Sequence, residues 1–248
     1  MPQNNRRSTV VLVSLLALDL ILIGFHILHR LTFRGILQSS LFSNPIFSMS
    51  EEAKLPDLFQ YLKQLAIVLI LLYEAKHEHR IYVIWAAIFG YLLIDDVVQI
   101  HERIGNTFQN RLPPIASLQP SEVAQSGFLV LLAFIMFGIS LLVIRRTQGN
   151  NHLASIHLTI LLAVAAFFGV LVDFVQGIVM NLFGISGVIK VVEDGGEMLI
   201  MSVILWYVYR LSFETIPFSR LNRFFSKHDE NTTPLQDNLV DNPKSMNP

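Results

Sequence analysis

The sequence predicts an all-α integral membrane protein, a bundle of about six transmembrane helices with both termini in the cytoplasm. Hydrophobic residues make up 52% of the 248 residues and charged residues only 15%, far from the composition of soluble domains. The apolar residues also gather in runs of about 20, the length of helix that crosses about 30 Å of hydrocarbon. Membrane lipids are therefore the first partner that we expect.

Each of six apolar runs predicts one helix. The runs lie near 9–30, 57–75, 81–102, 124–144, 154–182 and 188–209. The first follows Arg6 and Arg7 as a signal peptide would, but Asp19 interrupts it and no cleavage site follows, so we expect an uncleaved helix. Lys63 and Gln64 shorten the apolar part of the second run.

Lysines and arginines set the orientation, because cytoplasmic loops carry the excess of these residues. An internal N-terminus places the following cations inside: Arg6, Arg7, Lys76, Arg80, Arg145, Arg146, Arg210, Arg220, Arg223, Lys227 and Lys244. The predicted organisation is a cytoplasmic N-terminus (1–8), a six-helix transmembrane domain (9–210), a basic amphipathic interfacial segment (211–227) and a disordered polar tail (228–248).

Charge and cysteine content exclude several classes of protein. A net charge of −1 gives no basic surface for nucleic acid. The chain has no cysteine, so it has no disulfides, and any metal must be held by oxygen and imidazole ligands. Neither a phosphate-binding loop nor a nucleophile elbow is found in the sequence.

The stretch "LLIDDVVQIHERIG", residues 92–105, carries acidic residues and a histidine at the end of the third run. An ionised side chain at the centre of a membrane helix costs roughly 2.5–3.5 kcal/mol, so such residues mark a functional site by default. Asp95 and Asp96 fall about 10–12 Å below the outer end of the helix, with His101 and Glu102 at its rim. We expect Asp95, Gln99 and Glu102 to share one face.

Other predicted helices carry polar residues at a similar depth. Roughly 6–14 Å below the outer ends at 1.5 Å per residue lie His26, Asp173, Gln176, Glu193, Asp194 and Glu197, with Asp19 nearer the midplane. Four helices thus place polar groups in one outer layer, and the inner half has almost none. These groups are expected to face the interior of the bundle.

Many carboxylates with one or two imidazoles form a set of hard ligands, which favours Mn, Fe, Zn, Mg or Ca. The candidate metal ligands are Asp95, His101, Glu102, Asp173, Glu193, Glu197 and His26. Asp96 and Glu197 are candidates to move a proton. Together they suggest a metal-dependent enzyme that acts on a small molecule, a lipid or a lipid-linked substrate from the outer leaflet.

Other interpretations use the same residues. The carboxylates could form a salt-bridge network with Arg30, Arg103 and Lys190, or line a vestibule without chemistry. They could be the coupling site of a cation or proton transporter, and His26 with His101 could ligate a haem. A membrane assembly factor, presenting the loops 31–56 or 103–123, needs no active site but leaves the buried charges unexplained.

Three motifs carry a family resemblance. "KLPDLFQYLK" before the second helix, "DDVVQIHE" at the end of the third and "VVEDGGEML" at the start of the sixth resemble uncharacterised bacterial multi-pass membrane proteins, which often have Asp-Glu in place of Asp95-Asp96. The resemblance implies a six-helix bundle in a bacterial inner membrane, and no activity.

Overall fold

The computed structural model describes residues 2–33, 35–37, 54–108, 120–172 and 186–213, together with the single positions 39, 42, 44, 46 and 111. These residues all belong to one compact unit, Met1–Glu214. They contain helices and no strand, which confirms the all-α class over this part of the chain. The predicted interfacial segment and tail fall almost entirely outside the described residues.

Seven α-helices follow one another along the described chain: α1 (Pro2–Phe33), α2 (Leu55–His77), α3 (Tyr82–Val98), α4 (Ile100–Phe108), α5 (Pro120–Arg146), α6 (Gly149–Ala166) and α7 (Ser186–Phe213). A π-helical segment, Phe167–Val172, continues α6. Helix α1 packs on α7, α2 on α3 and α7, α4 on α5, and α7 on α6 and the π-helical segment.

Among the described residues, four helices are long and apolar enough to cross a membrane, or five if the bent pair α3 and α4 counts as one span. Their apolar residues also point outward, as lipid-facing residues should: Leu20, Leu69 and Phe134 are all more than half exposed. The chain is therefore consistent with a multi-pass membrane protein. Helix α7, at about 42 Å, is long enough to cross, but it is the one that carries Glu193, Asp194 and Glu197. Six spans and cytoplasmic termini stay predictions.

The expected single helix 81–102 is wrong in one respect, because it breaks at Gln99. This residue has the left-handed conformation, with φ 59° and ψ 46°, and the axes of α3 and α4 differ by 58°. The expected face shared by Asp95, Gln99 and Glu102 is therefore interrupted. The break could not be predicted from the sequence, because neither glycine nor proline stands there and a non-glycine residue seldom adopts this conformation.

The apolar core lies in the half of the bundle that contains the end of α2 and the start of α3. Its centre is formed by fully or almost fully buried side chains of α2, α3 and α7, namely Ile67, Leu71, Trp85, Phe89, Ile204 and Val208. We call these six residues the apolar plug. On α2 the plug separates the buried Gln64 from the buried Glu74, ten residues or about 15 Å further along the helix.

Candidate functional site

A cavity of about 340 Å³ lies between α2, the α3–α4 break, α5, α6 with its π-helical segment, and α7. Seven of its described lining residues are acidic: Asp57, Asp95, Asp96, Glu102, Glu193, Asp194 and Glu197. His101 lines it as well, and no lysine or arginine does so among the described residues. The structure thus brings the carboxylates of the third and sixth predicted helices into one cavity, as expected from their depth.

The break at Gln99 places His101 beside Asp95. The Asp95 carboxylate accepts a hydrogen bond from the His101 backbone N–H through Oδ1, at 3.2 Å, and contacts His101 Nδ1 through Oδ2, at 2.9 Å. Asp95 therefore serves as a cap for α4 and also fixes the imidazole ring. Because Nδ1 is held by the carboxylate, Nε2 is the nitrogen left for chemistry.

Two glutamines and a tyrosine of α2 form part of the cavity wall. Gln64 Nε2 donates a hydrogen bond to Asp96 Oδ2 at 2.5 Å, and the Tyr61 hydroxyl donates to the Asp96 carbonyl at 3.3 Å. Gln60 is only 8% exposed, and its Oε1 has no hydrogen-bond partner among the described residues. Buried polar groups are normally satisfied, so Gln60 has an acceptor that none of the described residues uses.

On the opposite wall, two glycines set the position of α7. A methyl group on Gly169, in the π-helical segment, would overlap Oε1 of Glu197. A methyl group on Gly196 would overlap the ring of Phe168. These glycines let the backbone of the π-helical segment approach α7 closely, and π-helical turns are frequent at functional sites.

Apolar side chains form another part of the cavity wall. Leu132, Met136, Leu162, Ile200 and Met201 line it without offering a polar side chain. Met136, Leu162, Ile200 and Met201 also belong to the buried core that contains the apolar plug. The cavity therefore has polar and apolar walls, the arrangement that accommodates an amphiphilic ligand.

Asp19 is held away from this cavity in an ion pair that the sequence did not predict. Lys63 Nζ lies 2.8 Å from Asp19 Oδ1, 2.7 Å from the Met198 carbonyl and 3.2 Å from Ser202 Oγ. Ser202 donates a second hydrogen bond to Asp19. All three side chains are fully buried or nearly so, so this cluster joins α1, α2 and α7.

The structure does not gather every residue on the predicted ligand list. His26 is fully buried, but it is not among the described residues that line the cavity. Asp173 and Gln176 lie outside the described residues. Across the described residues, no three His, Asp or Glu side chains are placed so that they could together hold a metal ion. Metal binding is thus still a prediction.

Sequence reasoning missed the contribution of α2. Asp57 lies in the first turn of α2, and its Oδ2 accepts a hydrogen bond from the Lys54 N–H at 3.2 Å. It also lines the cavity, together with Gln60, Tyr61 and Gln64. The spacing of 57, 60 and 64 on one helical face was the available signal.

Comparisons with known proteins give a family and no activity. A family model described as Domain of unknown function (DUF8692) matches residues 9–213. No curated protein and no solved structure matches the chain.

Proposed function

The chain belongs to the DUF8692 family, and we propose that it is a membrane enzyme that hydrolyses a lipid or lipid-linked substrate in the acidic cavity, with a divalent metal ion bound there. The observation that carries the proposal is the Asp95–His101 contact in a cavity lined by seven carboxylates, of which Asp95 is one. Histidines that ligate metals almost always present their second ring nitrogen to a carboxylate. Asp95 would then orient His101, and Nε2 would face the ion.

The remaining ligands would come from carboxylates at the same cavity. Glu102 follows His101 on α4, and Glu193 and Glu197 are separated by one helical turn on α7. A divalent ion would draw these side chains together, because it offsets the repulsion between their charges. Such an ion would supply the activation of water at neutral pH, and Asp96 or Glu197 would accept the proton that the water loses and pass it to the leaving group.

Transport by the same carboxylates is the alternative that the apolar plug disfavours. A permeation path needs a continuous polar or water-lined route through the bundle. Between the cavity and the buried Glu74, the described parts of α2, α3 and α7 instead present five fully buried apolar side chains, Ile67, Leu71, Phe89, Ile204 and Val208. Sealed vesicles containing the protein should show no metal or proton flux that depends on Glu197.

The decisive experiment measures metal content and lipid turnover together. Protein purified in detergent without chelators should contain about one ion or an adjacent pair per chain, and should hydrolyse a labelled lipid extract in micelles. The double variant His101→Ala, Glu197→Gln should lose the ion and at least about a hundredfold in turnover. Asp95→Asn should keep the α4 cap, through its remaining oxygen, and lose turnover. Metal-free wild-type protein that is fully active would overturn the metal proposal.

A further inference from the structure

A second depression, of about 350 Å³, lies on the outer surface between α2 and α3. All of its described lining residues except Tyr61 are aliphatic: Leu58, Leu62, Leu65, Leu93, Ile94, Val97 and Val98. We call it the α2–α3 groove. From Leu58 to Leu65 it extends about 10 Å along α2, and Leu62 and Val97 are each more than half exposed.

Tyr61 lines both the groove and the acidic cavity. On α2, Leu58 and Leu62 line the groove, Gln60 and Gln64 line the cavity, and Tyr61 belongs to both sets. Its hydroxyl donates to the Asp96 carbonyl on α3. The Tyr61 side chain, which joins α2 to α3, therefore stands where the two spaces meet.

We propose that the α2–α3 groove holds the alkyl chain of a single-chain lipid whose amine-bearing polar end reaches past Tyr61 into the acidic cavity. The inference rests on the proposed function and names its substrate class. An alkyl chain fits the groove because its walls are aliphatic. The groove also lies between α2, which is long enough to span a membrane, and α3, which belongs to the bent pair.

The acidic residues of the cavity favour a lipid whose polar end is positively charged. Seven carboxylates line it, and no lysine or arginine does so among the described residues. An ammonium group is attracted by acidic walls of this kind, while an anionic end would be repelled. Gln60, on the same wall, adds a side-chain amide that can accept a hydrogen bond from an ammonium N–H.

Binding of radiolabelled stearylamine to the purified full-length protein in detergent tests this inference. Wild-type protein should bind stearylamine at least about tenfold more tightly than stearyl alcohol, which has the same chain and no charge. The variant Leu62→Trp, Val97→Trp should fill the groove and lower stearylamine affinity by about tenfold or more, since excluding two methylene groups has that effect. Asp96→Asn with Glu193→Gln should reduce stearylamine binding to the level of the alcohol.

Matched controls separate the groove from general hydrophobicity. Leu69→Trp and Val83→Trp lie on the same two helices at similar exposure and do not line the groove, so they should bind stearylamine like the wild type. Equal binding by the Leu62→Trp, Val97→Trp variant, or equal affinity for the alcohol, would overturn the inference. Stearylamine offers no bond to hydrolyse, so its binding does not require turnover. Measured in the presence of a chelator, it does not require a bound metal ion either, and the failure of one proposal is then distinguishable from the failure of the other.

Discussion

Gly169 lies so close to Glu197 that no side chain fits between the π-helical segment and the carboxylate on α7. A glycine at position 169 therefore allows the Glu197 carboxylate to lie against the backbone of the π-helical segment. The contact brings the π-helical segment and α7 together beside the cavity.

Replacing Gly169 tests this contact through metal affinity. Gly169→Ala should reduce metal affinity, because the new methyl group displaces the Glu197 carboxylate. Gly138→Ala is the control, since a methyl group there meets nothing within 4 Å. It should keep metal affinity and stabilise the helix by about 0.5–1 kcal/mol, the usual gain of alanine over glycine. Unchanged metal affinity in Gly169→Ala would contradict the contact.

The buried pair of Asp19 and Lys63 predicts a non-additive response. Asp19→Leu alone should destabilise the protein by about 3–5 kcal/mol, because it leaves a buried ammonium group without its counter-ion. Adding Lys63→Met removes that charge and should recover most of the loss. Chemical unfolding in mixed micelles measures both. Additive losses in the double variant would show that the two residues act independently.

Backbone conformation at Gln99 predicts an order of stability. Its φ of 59° is left-handed, which costs an L-residue about 1–2 kcal/mol relative to the right-handed form. Gln99→Gly should therefore be neutral or stabilising, and Gln99→Val should be destabilising because a β-branched residue tolerates this conformation poorly. Melting temperatures of the three proteins check the order. A more stable valine variant would argue against the break between α3 and α4.

Single cysteines can test the predicted orientation, since the chain has none of its own. Cysteines at the exposed positions Glu78 and Gln148 should be protected from an impermeant thiol reagent in intact cells, and those at Gly35 and Asn106 should react. Ser8 and Thr147 are unsuitable reporters because they are buried. The reverse labelling pattern would move the acidic cavity to the cytoplasmic side.

The sequence could predict the depth of polar groups but not their partners. Asp95, Asp96, Glu193 and Glu197 were placed in one layer by counting residues from helix ends, and they do line one cavity. Lys63 instead looked like an interruption of the second run, because its counter-ion is 44 positions away on another helix.

Local conformation was the second limit. The left-handed Gln99 and the π-helical segment Phe167–Val172 both lie within apolar runs that the sequence predicts to be ordinary α-helix. Tertiary contacts decide such cases, among them the approach of Gly169 to Glu197. The number of spans was likewise predicted from apolar runs. Hydropathy identifies a span least well at α7, because this helix carries Glu193, Asp194 and Glu197.

The Lys63 cluster also has a consequence for how the chain enters the membrane during synthesis. Lys63 finds its counter-ion on the preceding helix, which has already left the ribosome, so this ion pair can form before the rest of the bundle is made. The Met198 carbonyl and Ser202, its other two acceptors, emerge about 135 residues later. Until then the Lys63 ammonium group lacks two of the three acceptors that the folded protein gives it, so α7 completes the environment of a charge that entered the membrane with α2.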